Sequence, residues 1–257
     1  MSARRVIVVD DLAALSSEAA RRFVALAAES IRARGRFAVA LTGGSSPVGL
    51  YRLLAAAPYR EQVDWDAVLF FFGDERCVPP DHADSNYRMA HETLLARIPA
   101  PDEHIFRMAG ERCGEPAAEE YASRFARALQ GSAAPEGWPR LDLVLLGMGE
   151  EGHTASLFPG MPALDETRRA VLWTAIPPGT RPDVSRLTLT LPVLNAARHV
   201  MFLVSGAGKA QAAHAVLAEL PGPAAPLPAG RVRPSDGSLT WLIDRAASAL
   251  TPSPGAA

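Results

Sequence analysis

His153 stands in the stretch LLGMGEEGHTASLFPG, Leu145 to Gly160, just past a dense glycine turn and two acids, Glu150 and Glu151. Imidazole titrates near neutrality. With a carboxylate to orient it, it is suited to general-base work. A lone loop histidine is more often structural, so its neighbours decide. Three other stretches bear on it. TGGSS, Thr42 to Ser46, offers glycines for close backbone approach, hydroxyl donors and amides that attract an anion. A plain strand-to-helix turn with a serine cap explains it equally well, since it is neither a Walker motif nor GxGxxG. GDERCVPPDHADSNYR, Gly73 to Arg88, is a long polar loop that crowds Asp74, Glu75 and Arg76 at its start. A salt-bridged rim is the competing account, and Ser85 or Asn86 reads as a helix cap. GAGKA, Gly206 to Ala210, puts Lys209 in the first turn of a helix, against the helix dipole, a conflict that a bound anion removes. Arg186 could be a second cation, although alone it reads as a solvent-exposed salt bridge.

These stretches gain meaning from the elements that carry them. The segments RFAVALTGG, DAVLFFFGDER, LDLVLLGMG and HVMFLVSGAG each hold a continuous apolar run that ends in glycine. Such runs indicate strands buried on both faces. Between them lie helical patterns: SSEAARRFVALAAESIRAR, SNYRMAHETLLARI, AAEEYASRFARALQ and GKAQAAHAVLAEL. Pro47 suits the first position of a further helix. The alternation predicts a mostly parallel, Rossmann-like α/β sheet with helices on both faces. In an open parallel sheet the carboxyl ends of the strands share one edge, and ligands bind there. The four polar stretches all follow strands, so they are expected to meet. No composition shift marks a boundary: residues 1–250 read as a single α/β domain and 251–257 as a disordered tail. Pro221 to Gly230 reads as a loop before a last element, SLTWLIDRAAS.

Composition excludes several classes. With 26 Lys+Arg against 28 Asp+Glu in 257 residues, the net charge is −2. A duplex-binding surface usually needs a basic excess, so no nucleic-acid partner is expected. No window approaches the roughly 18 apolar residues of a membrane span. The N-terminal apolar run is too short for a signal peptide, so the protein is expected in the cytoplasm without a membrane partner. The remaining histidines, His82, His91, His104, His199 and His214, show no ligand spacing, so no metal is expected. Cys77 and Cys113 lie far apart and read as reduced thiols.

Taken together, LTGGSSP, FFGDERCVPPDHADSNYRMAHETLL, LDLVLLGMGEEGHTASLFPG, RLTLTLPVLNAARHVMFLVSGAGKA and LTWLID resemble the 6-phosphogluconolactonases, in the family order and over most of the chain. The resemblance implies hydrolysis of 6-phospho-D-glucono-1,5-lactone in the pentose phosphate pathway, without a cofactor. It also implies a fold shared with the glucosamine-6-phosphate deaminases. His153 matches the family's base. Thr42, Gly43, Gly44 and Ser45 match its phosphate loop, and Lys209 and Arg186 match cations at the phosphate end. Arg76 and Asp74 belong to the DER motif, with Arg76 implied for the oxyanion or the product carboxylate. Glu151 departs from the aspartate the family commonly has there. The implied partner is a phosphorylated sugar lactone. The oligomeric state is open, with a monomer favoured. Two alternatives remain: an amino-sugar-phosphate deaminase or isomerase, and a non-catalytic sugar-phosphate-binding protein. The presence of His153 and the absence of a helix-turn-helix extension argue against the latter.

Overall fold

The computed structural model describes residues 3–218 and 227–251. Of the expected loop at 221–230 only the last four residues fall within this range. The expected tail lies outside it except for Thr251.

Six strands form one parallel sheet: β1 (Ala3–Val9), β2 (Phe37–Leu41), β3 (Val68–Phe72), β5 (Leu143–Leu146), β8 (His199–Val204) and β9 (Ser238–Asp244), in the order β1-β9-β8-β5-β2-β3. Every pairing in it is parallel. The continuous apolar runs are buried along β2 and β5, as strands covered on both faces must be. The helices are α1 (Leu12–Arg34), α2 (Val48–Leu54), α3 (Asn86–Thr93), α4 (Glu115–Ala128), α5 (Leu191–Ala196) and α6 (Ala210–Ala218). Asp11 caps α1 by accepting from the Ala14 amide, and Gly35 ends it in the left-handed region. The alternation expected from the sequence is therefore observed, as one α/β domain. Among the described residues no helix is long and apolar enough to cross a membrane.

A second, smaller sheet has no counterpart in the expectation. It is antiparallel and contains β4 (Asp74–Arg76), β7 (Arg186–Leu189) and β6 (Val171–Thr174), in the order β4-β7-β6. Gly73 joins the two sheets. Its amide donates to the Leu41 carbonyl of β2, while its own carbonyl accepts from the Leu189 amide.

The cysteines correct a second expectation. Cys77 and Cys113 form a disulfide with a Cα–Cα distance of 5.4 Å. Their 36-residue separation concealed the fact that the chain after β4 returns against the turn before α4. Gly110 makes that contact possible. A Cβ there would overlap the Arg76 carbonyl oxygen, which only glycine avoids.

Candidate active site

The strand order sets the site out. Along the carboxyl edge, the loop after β8 carries Lys209 and the loop after β5 carries Glu150 to His153. The loop after β2 carries Thr42 to Ser46, and Asp74 to Arg76 follow β3. Neighbouring strands are about 4.8 Å apart, so four strand ends span one small ligand. They line a cleft of about 270 Å³ together with Ser156, Phe158, Thr180, Arg181 and Arg186. Of the residues expected in the site, Thr42, Gly43, Gly44, Ser45, Asp74, Arg76, His153, Arg186 and Lys209 all line this cleft. Glu151 does not; it stands behind His153.

The histidine loop is built around its glycines. Gly149 donates to the His153 carbonyl at 2.9 Å, and Gly152 takes φ +84° to close the turn. A Cβ at Gly149 would overlap the His153 ring. Glu151 Oε1 lies 2.7 Å from His153 Nδ1, and Nε2 has no partner among the described residues. The hydrogen bond from His153 holds the Glu151 carboxyl below the usual range, against a smaller opposing effect of burial. The imidazole packs on Phe158 at 4.4 Å between ring centres and is 29% exposed. An imidazole fixed at one nitrogen and free at the other can accept a proton there. Ala155, next along the cleft, is held at φ 48°, a conformation that L residues with side chains seldom adopt.

The loop after β2 is held from beneath. Tyr51 Oη accepts from the Thr42 amide and donates to the Thr42 carbonyl, and Thr42 Oγ1 accepts from the Gly147 amide at 3.3 Å. The polar groups of Thr42 thus serve the fold. By contrast, the amides of residues 43–46 have no hydrogen-bond partner among the described residues. Gly44 adopts φ +85°. No serine caps α2; Pro47 occupies the cap position, so the helix begins one residue later than expected.

The acids of the DER stretch form no salt-bridged rim. Glu75 is buried and accepts from the amides of Arg76, Asn86 and Tyr87 and from Ser85 Oγ. Burial nonetheless pushes its carboxyl above the usual range. Asp74 accepts from Ser156 Oγ at 2.6 Å and from Asn86 Nδ2 at 3.1 Å. Asn86 is therefore more than a cap: its amide supports Asp74 and presses on Gly43, where a Cβ would overlap it. Ser85 is the cap of α3.

Arg186 is not the exposed salt bridge expected of it. It is 3% exposed and donates to the carbonyls of Pro182, Val184 and Ser185. Burial lowers its pKa, and the neighbouring Arg76 lowers it further. The two arginines face each other directly across β4 and β7. Arg76 donates to the Asp84 carbonyl at 2.7 Å, and its Nε is buried without a partner. Like charges opposed on a sheet are destabilising. Two of them, with no carboxylate ion pair among the described residues, give that wall of the cleft a positive charge that an anion could offset. Arg181, exposed on the loop before β7, adds a third cation to the same wall. The sequence reading missed Arg181 and Ser156. Ser156 lay within the histidine stretch, whereas the loop of Arg181 carried no signal beyond its prolines and glycine.

Fold and site together define an α/β protein with a cation-lined cleft at the carboxyl edge of its parallel sheet, beside a histidine whose second ring nitrogen has no partner among the described residues. The chain belongs to the glucosamine-6-phosphate isomerase/6-phosphogluconolactonase family, which it matches over residues 10–241. It is 41% identical over 218 residues to a 6-phosphogluconolactonase of Rattus norvegicus, covering 84% of this chain and 81% of the relative. It is 37% identical over 249 residues to a probable chloroplastic 6-phosphogluconolactonase 3 of Oryza sativa, covering 95% and 75%. The solved 6-phosphogluconolactonase of Trypanosoma cruzi superposes with a TM-score of 0.83 at 32% identity, covering 97% of both chains.

Proposed function

We propose that this chain hydrolyses 6-phospho-D-glucono-1,5-lactone to 6-phospho-D-gluconate, a carboxylic ester hydrolysis in the pentose phosphate pathway. The observation that carries the reading is the dyad at the cleft: His153 with Nδ1 on Glu151, Nε2 free, opposite unpaired arginines. Glu151 holds the imidazole in one tautomer. Nε2 takes a proton from water as the water oxygen attacks the lactone carbonyl. Negative charge develops on the carbonyl oxygen, where Arg76 serves as donor. The intermediate then collapses. The bond from C1 to the ring oxygen breaks, and the ring oxygen takes the proton back from His153. Asp74, fixed by Ser156 and Asn86, accepts hydrogen bonds from sugar hydroxyls. Lys209, Arg186 and the free amides of Gly43, Gly44 and Ser45 hold the phosphoryl group.

The mechanism uses no metal or cofactor. The protein is taken to act as a monomer; light scattering on the purified protein tests that. We place the enzyme in the cytoplasm; cell fractionation tests the placement. The decisive assay couples lactone hydrolysis to 6-phosphogluconate dehydrogenase, with spontaneous hydrolysis subtracted. Turnover above background is expected. Release of ammonia from glucosamine 6-phosphate in its place would move the chain to the isomerase branch of its family. Absence of both activities would make it a binding protein.

A further inference from the structure

Lys209 is the only lysine among the 257 residues; the other 25 basic side chains are arginine. Its ammonium makes no hydrogen bond among the described residues. Burial works against its charge, and two acids, Glu150 and Asp244, support it. The two acids differ. Asp244 is engaged by the Gly206 and Ala247 amides and by Ser205 Oγ, so it braces the turn. The Glu150 carboxylate has no hydrogen bond or ion pair among the described residues. It lines the same cleft as Lys209 and lies on Gly208, where a Cβ would overlap its Oε1. The arginine wall has no such free acid, because the Asp74 carboxylate is taken up by Ser156 and Asn86.

We infer that Glu150 is a specificity-determining residue: its carboxylate stands beside Lys209 where a ligand anion would stand, and an entering phosphoryl group must displace it. The inference rests on the reading of Lys209 as a phosphate-binding residue. It makes Glu150 an internal competitor that weakens the hold on phosphorylated ligands and speeds product departure. A neutral lactone escapes this penalty. A competing role is acceptance of hydrogen bonds from sugar hydroxyls, in which case loss of the carboxylate would weaken every sugar ligand.

Glu150→Gln keeps the shape and removes the charge. Calorimetry with 6-phosphogluconate and with inorganic phosphate should show binding about three- to ten-fold tighter, the size expected of one charge a few ångströms away in a partly wet cleft. KM for the phosphorylated lactone should fall without a gain in kcat, and KM for unphosphorylated gluconolactone should not move. Glu150→Asp, which keeps the charge, should behave nearly as wild type. The single lysine gives a direct readout. In protein labelled at lysine, one side-chain ε resonance reports phosphate binding, and it should saturate at lower phosphate in the Gln variant. Unchanged or weaker phosphate binding in a folded Glu150→Gln protein overturns the inference, as does equal weakening toward both lactones. Lys209→Ala separates this failure from a failure of the underlying reading. If it retains full phosphate affinity, Lys209 does not read phosphate. If it loses that affinity while Glu150→Gln matches wild type, only the role of Glu150 is wrong.

Discussion

The two sheets contribute to the cleft in opposite ways. The parallel sheet delivers His153, Lys209 and the free amides on loops beyond its strand ends, partly exposed and lightly tied to the fold. The three-stranded sheet delivers Asp74, Arg76 and Arg186 from within its strands. Of these, Asp74 and Arg186 are buried and hydrogen-bonded into the fold. Loop groups can therefore be removed at a cost to chemistry alone, whereas strand groups serve chemistry and stability together. Variants at the two places should separate along that line.

The largest effect should come from the loop. His153→Ala should lower kcat by roughly 10²- to 10⁴-fold, the range that general-base catalysis supplies. The melting temperature should hardly move, because the ring is partly exposed and its polar partner, Glu151, is a half-exposed acid. Near wild-type turnover above the spontaneous rate would remove His153 from the mechanism. A large loss of stability would erase the contrast between the sheets.

Arg186→Ala is the matching test on the small sheet. It should cost about ten- to a hundred-fold in kcat/KM for the phosphorylated lactone, the range for losing a charge-assisted contact. It should also destabilise the protein by roughly 1–3 kcal/mol, because the carbonyls of Pro182, Val184 and Ser185 lose their donor. Denaturant unfolding and steady-state kinetics on one preparation would show both losses. A variant with weakened kinetics and unchanged stability would place Arg186 in the same class as the loop groups.

How much of this could be read in advance follows the same division. The parallel sheet declared itself because burial on both faces leaves unbroken apolar runs, as in FAVAL, VLFFF and LVLL, each closed by glycine. His153 and Lys209 were legible because they follow such runs. The small sheet was not legible. DER and RLTL are short and carry charges, and their partners are over a hundred residues apart. Arg186 was therefore expected on the surface, although its three carbonyl acceptors lie only one to four residues before it. Asn86 was assigned a capping role because no local pattern shows a side chain reaching back to Asp74. The disulfide was hidden for the same reason: spatial proximity between distant segments is a property of the fold.

The junction between the two regions can be probed at Gly43. Its Cα lies against the Asn86 amide that supports Asp74. Gly43→Ala should force that amide aside, costing roughly 1–3 kcal/mol of stability as overpacking does. It should also cut kcat/KM several-fold through Asp74. Full activity in Gly43→Ala would mean that Asn86 yields freely and that the two sheets are not coupled there.

The smallest expected effect, and the one that most sharpens the comparison, concerns Glu151. Its side chain is half exposed and outside the cleft, so any influence must pass through His153. The pair is coupled: the hydrogen bond from His153 holds the Glu151 carboxyl below its ordinary value. The carboxylate 2.7 Å from Nδ1 is placed to stabilise the imidazolium that forms in the transition state. Glu151→Gln keeps a hydrogen-bond acceptor and removes that support. The kcat should fall about three- to ten-fold, because the imidazolium formed in the transition state loses its partner, while KM should change little. Glu151→Asp should keep much of the activity. Stability should respond with a definite sign. A carboxylate with a depressed folded pKa contributes stability above its unfolded pKa and loses it as pH falls through the folded one. The exposed position makes that contribution small. An unchanged kcat in Glu151→Gln would make Glu151 a solvated loop acid. The tautomer of His153 would then have to be set by something other than its one observed partner.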